Sequence, residues 1–122
     1  LERSTPFYDD VLTRAGYLRV ADADEGPLWR GDEQEIGLQG ADAEGLARPP
    51  HHRFAPGLHH LALAAPSRAA VDAYHRQLVA LGVTILDTPA PYDRYLPGYY
   101  AVFFYDPDGL KLEILHVPAL AA

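Results

Sequence analysis

PGLHHLALAAPSRAAVDAYHRQLVALGV, residues 56–83, and YYAVFFYDPDGLKLEILHVP, residues 99–118, decide how this chain is read. Leu58–Ala65 alternates its side chains as a half-buried strand does. Ser67 is placed to open a helix, Val71, Tyr74, Leu78 and Leu81 form its apolar stripe, and Gly82 stops it. Val83–Leu86, Tyr99–Tyr105 and Lys111–Val117 read as three further strands. Asp106-Pro107-Asp108-Gly109 joins the last two, with proline and glycine where a type I turn accepts them. The order is β-α-β-β-β.

Working outward, the first half carries a similar helix about 66 residues earlier, with Tyr8 matching Tyr74, Leu12 matching Leu78 and Gly16 matching Gly82. Ser4, Thr5 and Pro6 open it, with a cap donor ahead of a first-turn proline. Phe7, Tyr8, Val11, Leu12 and Ala15 make its stripe. Tyr17–Ala21, Pro27–Arg30 and Glu35–Gln39 follow as strand-like runs. By the offset, the strand that should precede this helix ends just before Leu1. A repeat whose unit cannot close its sheet alone implies two modules packed together. The expected fold is therefore α+β: paired β-α-β-β-β modules whose mixed sheets curl around a cavity, with the opening strand of the first module absent. Module one falls at about 1–45, a linker at about 46–56 within a Pro-, Gly- and His-rich stretch, and module two at about 57–118.

The bulk properties narrow the function. A length of 122 residues suits one domain with a real core. A net charge of −7 argues against a nucleic-acid partner, which calls for a basic face. No run of eighteen apolar residues and no signal-peptide pattern occurs, so no membrane span is expected. The absence of cysteine rules out disulfides and thiolate ligands and fits the cytoplasm. Any metal must be held by nitrogen and oxygen. The chain has no methionine and starts at Leu1, so it does not read as an intact translation product.

Strand alternation sorts the chemistry. His60, Ala62 and Ala64 share one face of Leu58–Ala65, and His59, Leu61 and Leu63 the other. In Lys111–Val117, Glu113 and Leu115 lie opposite Leu112 and Ile114. A glutamate among four apolar neighbours is costly to bury unless it is paired or bound to a cation. Together His60 and Glu113 suit zinc, iron, nickel or manganese rather than calcium. Spacing alone favours a satisfied core histidine and an edge glutamate in water. Tyr92, Asp93, Arg94, Tyr95, Tyr99 and Tyr100 form an aromatic-rich loop of the kind that carries specificity. Arg94, Tyr95, Tyr99 and Tyr100 are its candidate substrate contacts, joined by Trp29 from the first half. A tyrosine beside a metal can hydrogen-bond a substrate oxygen or donate a proton. His51, His52 and His75 read as exposed, His59 as structural, and His116 as closing the last strand.

PGLHHLALAA, the helix ending LVALGV and YYAVFFYDPDGLKLEIL resemble the second module of the vicinal oxygen chelate superfamily, the group of glyoxalase I, bleomycin-resistance proteins and extradiol dioxygenases. LERSTPFYDDVLTRAGY resembles its first helix. The resemblance implies that His60 and Glu113 are metal ligands opening and closing the second module. It also implies a glutamate from the last strand of the first module, for which Glu35 is the nearest match, as ligand or base. The implied cofactor is a divalent metal. The implied function is a metal-dependent enzyme, lyase- or isomerase-like, whose small substrate chelates the metal through adjacent oxygens, with Glu113 or Glu35 as catalytic base. The alternatives are a bleomycin-resistance-like binding protein without catalysis and an extradiol-type dioxygenase, which would need a second histidine from the missing strand. A homodimer is the family habit.

Overall fold

The stripe of the first helix buries as its spacing requires: in α1 (Ser4–Arg14), Tyr8, Val11 and Leu12 are buried. Its start differs from expectation. Arg3 holds the cap position with no side-chain cap, and Ser4 is already helical. Pro6 is tolerated in that first turn because no carbonyl within the helix waits for its N–H. Three strands follow, β1 (Leu18–Ala23), β2 (Gly26–Arg30) and β3 (Glu35–Gly37), in an antiparallel sheet of that order. Trp29 on β2 is wholly buried, and its indole Nε1 donates to Asp9 Oδ1 of α1 at 2.9 Å. Trp29 pairs across the sheet with Ile36, so the face of Trp29 and Ile36 is turned to α1. Arg30 and Glu35 lie on the other face. One short helix the sequence did not suggest, α2 (Ala43–Leu46), is capped by Asp42 Oδ1, which accepts from Gly45 N at 2.7 Å.

The structure, a computed structural model, describes residues 1–23 and 26–118. It divides into two compact units, Leu1–Pro50 and His51–Ala122. The elements above belong to the first.

The second unit has β4 (Leu61–Ala64), α3 (Arg68–Ala80), β5 (Ile85–Pro91), β6 (Tyr100–Tyr105) and β7 (Lys111–His116). Its sheet runs β4-β7-β6-β5, with β4 parallel to β7 and the other pairs antiparallel. Ser67 caps α3, its Oγ accepting from Ala70 N at 3.0 Å. The helix buries Val71, Tyr74 and Leu78. Both long helices end alike. Tyr17 N bonds Leu12 O and Val83 N bonds Leu78 O, each at 2.9–3.0 Å across a glycine of positive φ, Gly16 at 92° and Gly82 at 75°. Glycine adopts that left-handed conformation at little cost.

Cross-strand register separates two faces. Leu112, Ile114, Val102 and Phe104 form the face turned to α3, all with no measurable exposure. Glu113, Leu115, Phe103 and Ala101 form the other face, where Ala101, Phe103, Leu115 and Val117 cluster with Leu86, Tyr92 and Tyr99. No helix of the described residues is long and apolar enough to cross a membrane.

Candidate metal centre

The parallel pairing of β4 with β7 sets Ala62 beside Glu113. Ala62 is small, so the position two residues earlier can reach across. There His60, just ahead of the strand, places Nε2 2.9 Å from Glu113 Oε1. Glu113 is 2% exposed, while the His60 side chain is 30% exposed. The second carboxylate oxygen, Oε2, accepts from the Tyr99 hydroxyl. Both oxygens of a buried carboxylate are therefore engaged, as burial demands.

Tyr99 is placed by the residue before it. Gly98 has φ 79°, and a Cβ there would come 2.8 Å from Pro118 Cδ. Gly98 N also donates to Asp93 Oδ1 at 2.8 Å, closing the loop. Burial first, then the hydrogen bond to Glu113 and its charge, push the Tyr99 phenol far above the ordinary tyrosine value. With the folded pKa above the unfolded one, this contribution to stability is complete below the unfolded value and fades as pH rises through the folded one. A phenolate titration followed by ultraviolet absorbance should thus show one tyrosine ionising well after the others, and that step should vanish in Tyr99→Phe. Persistence of the late step in the variant would assign it elsewhere.

His59 is closer to this centre than alternation suggests. Its Nδ1 lies 2.7 Å from His60 Nδ1, and its ring meets Phe54 edge-on at 5.2 Å. One consistent arrangement has His59 donating to His60 Nδ1 and His60 Nε2 donating to Glu113. Burial, then His60, Lys111 and Arg53, make His59 harder to protonate.

The loop tyrosines divide. Tyr92 stacks on Tyr95 at 5.5 Å and meets Phe103 and Tyr99 edge-on, while Tyr95 meets Tyr99 at 5.3 Å. Arg94 lies over the rings of Tyr92 and Tyr95. Tyr99, Tyr95 and Arg94 thus border the Glu113 face. Two other expected substrate contacts are taken up by the fold. Tyr100 turns to the helix side, where its hydroxyl donates to Asp72 Oδ1 at 2.6 Å and Arg68 covers its ring. Trp29 is buried against α1, with the Arg19 guanidinium over its ring. His116 also lies on the helix side, its Nδ1 3.1 Å from Ala65 O.

Glu35 stands in the first unit on the face away from α1. It is exposed and ion-paired to Arg30 Nε at 2.8 Å across β2 and β3. Among the described residues, no three His, Asp or Glu side chains gather into a metal-holding group. His60 and Glu113 nonetheless suit such an ion chemically. Two nitrogen or oxygen ligands bound at about 2.1 Å stand roughly 3.0–3.4 Å apart, depending on geometry. The separation of 2.9 Å needs only a small parting.

A family model for the Glyoxalase/Bleomycin resistance protein/Dioxygenase superfamily matches residues 1–114. An uncharacterized Bacillus subtilis protein, YqjT, is 33% identical over 115 residues, covering 94% of this chain and 89% of that protein. Among solved structures, a candidate glyoxalase from Bacillus halodurans superposes with a TM-score of 0.80 at 30% identity, covering 96% of this chain and 87% of the other. A glyoxalase/bleomycin resistance protein from Albidiferax ferrireducens T118 gives 0.72 at 30% identity, covering 97% and 90%. A lactoylglutathione lyase from Agrobacterium tumefaciens, at 22% identity with TM-score 0.64 over 95% of this chain and 84% of that one, shares the fold.

Proposed function

Because the chain belongs to the Glyoxalase/Bleomycin resistance protein/Dioxygenase superfamily, we propose that it is a divalent-metal enzyme of the lyase or isomerase kind. Its substrate is a small molecule that offers two adjacent oxygens, and His60 and Glu113 are two of the metal ligands. The observation that carries this reading is the buried Glu113 facing His60 Nε2 on an otherwise apolar sheet face. A buried charge that does little for packing is costly to retain, and a cation offsets that cost. Zinc, nickel, iron or manganese would polarise the substrate oxygens as a Lewis acid.

The protein's own groups supply the rest. Tyr99 holds Oε2 of Glu113 and so aims Oε1 at His60. Tyr92, Tyr95 and Arg94 wall the same face and limit access of water. Glu35 is the further carboxylate that this reading uses as ligand or base. Its exposed ion pair with Arg30 is a weak competitor, since such pairs contribute at most about 1 kcal/mol.

The stacked tyrosines give a second reading some support: a binding protein that sequesters an aromatic or cationic ligand without catalysis. Metal content decides between them. The full chain dialysed against each of the four metals should retain about one equivalent of at least one of them. That uptake should be lost in His60→Ala. Failure to retain any of the four, with stability unchanged in His60→Ala, would sink the enzyme reading.

A further inference from the structure

A pocket of about 240 Å³ in the second unit is lined by His51, His52, Arg53, Phe54, Tyr105 and Gly109. It lies at the hairpin end of β6 and β7. We propose that it binds the oxyanion of a small acid, a carboxylate or a phosphate. Its volume is below the several hundred cubic ångströms of a whole drug-sized ligand site, so it fits one charged group rather than a whole cofactor.

Its chemistry is cationic in a chain of net charge −7. Arg53 Nη1 donates to the Tyr105 hydroxyl at 2.7 Å, and the guanidinium lies 4.9 Å from the centroid of the Phe54 ring. These contacts hold the guanidinium plane. Arg53 Nε is shut off from solvent with no hydrogen-bond partner. A buried donor left unspent calls for an acceptor. Nε and a neighbouring Nη form the fork that suits a carboxylate or phosphate. Phe54, whose ring lies against that guanidinium, is itself 73% exposed. Tyr105, accepting from Arg53, keeps its own hydroxyl proton to donate. Asp106, which follows Tyr105, is committed locally, its Oδ1 accepting from the amides of Asp108 and Leu110.

The pocket also lies in line with the candidate metal centre. Tyr105 pairs with Lys111, and the Lys111 ammonium sits 4.5 Å from the centroid of the Phe103 ring; Phe103 pairs in turn with Glu113. Tyr105 and Phe103 are two residues apart on one strand, about 6–7 Å. If His60 and Glu113 hold the metal, which this step alone assumes, the substrate is an oxyacid. Its anionic group then lies on the hairpin side of the chelating oxygens.

The test titrates the isotopically labelled full chain with acetate and with inorganic phosphate, against sodium chloride at matched ionic strength. Amide and Arg53 Nε–H resonances are followed by NMR. Saturable shifts at Gly109, Tyr105 and Arg53 are expected with acetate, phosphate or both, and whichever responds names the acid class. Arg53→Gln should weaken the response about tenfold or more, since it removes charge-assisted hydrogen bonds. Arg53→Lys, which keeps the charge but not the fork, serves if Arg53→Gln does not fold, and it too should bind more weakly. Shifts no different from chloride, or undiminished binding in the Arg53 variants, would overturn the inference while leaving metal uptake as evidence for the other reading. Absent metal uptake with saturable oxyanion binding would do the converse.

Discussion

Glu113→Gln should take up divalent metal at least about a hundredfold more weakly than the parent chain. Loss of a group that merely orients a ligand already costs 10- to 100-fold, and here the group proposed as ligand itself loses its charge. Glu113→Leu should abolish uptake, yet leave the metal-free chain as stable as the parent to within about 1 kcal/mol, or more stable. Glu113 sits on a face with Leu115, Phe103 and Ala101, which would receive a leucine readily. Replacing a whole buried pair by apolar groups is often neutral or stabilising, and removing one member costs only as much as the partners left behind go unsatisfied. The partners left behind are not sealed off: His60 is partly exposed, and water can take the place of Oε1. Calorimetric metal titration and urea unfolding of the three chains read both quantities. A loss in Glu113→Leu of more than about 2 kcal/mol would mark Glu113 as a structural strut and remove the reason for assigning it a cation.

The other large effect belongs to the opposite face. Phe104→Ala should cost about 3–5 kcal/mol, because Phe104 has no exposure and lies between sheet and helix with Val102, Leu112 and Ile114. Domains of this size have only about 5–15 kcal/mol in hand, so much of the second unit's margin would go. Metal uptake should fall with it, since His60 and Tyr99 directly precede β4 and β6 and Glu113 lies within β7. Tyr95→Ala, at a half-exposed ring, is the contrast and should change stability little. Comparable losses in the two variants would contradict the assignment of Phe104 to the packed core and of Tyr95 to its exposed rim.

The juxtaposition of His60 and Glu113 was legible because strand side chains alternate with a period of two. That rule puts both residues on the face away from Leu63 and Ile114 even though His60 itself precedes β4. The helix repeat was legible down to the closing hydrogen bonds of Leu12 and Leu78. Strand β5 was not, being expected at Val83–Leu86 and found at Ile85–Pro91. Its two prolines and its register shifts against β6 hide the pattern, and as an edge strand it tolerates them. Two contacts of the centre were also beyond sequence. Tyr99 reaches Glu113 from a loop end that no period describes, and His59 meets His60 through ring geometry rather than strand face. Trp29 and Tyr100 could not be placed from sequence because an aromatic ring suits a core as well as a substrate; the fold buries the first and bonds the second to Asp72.

The parallel pairing of β4 with β7 has a consequence for synthesis and turnover. It joins the first strand of the second unit to the last, so His60 and Glu113 meet across 53 residues of chain. Such distant pairings close late, after the intervening helix and hairpin have reduced the entropy of the loop. A nascent chain therefore cannot offer both groups until β7 has left the ribosome, and a fragment ending short of Glu113 never can. An ion that binds only the completed pair would favour the finished fold by mass action, so withdrawing such an ion would shorten the lifetime of the protein.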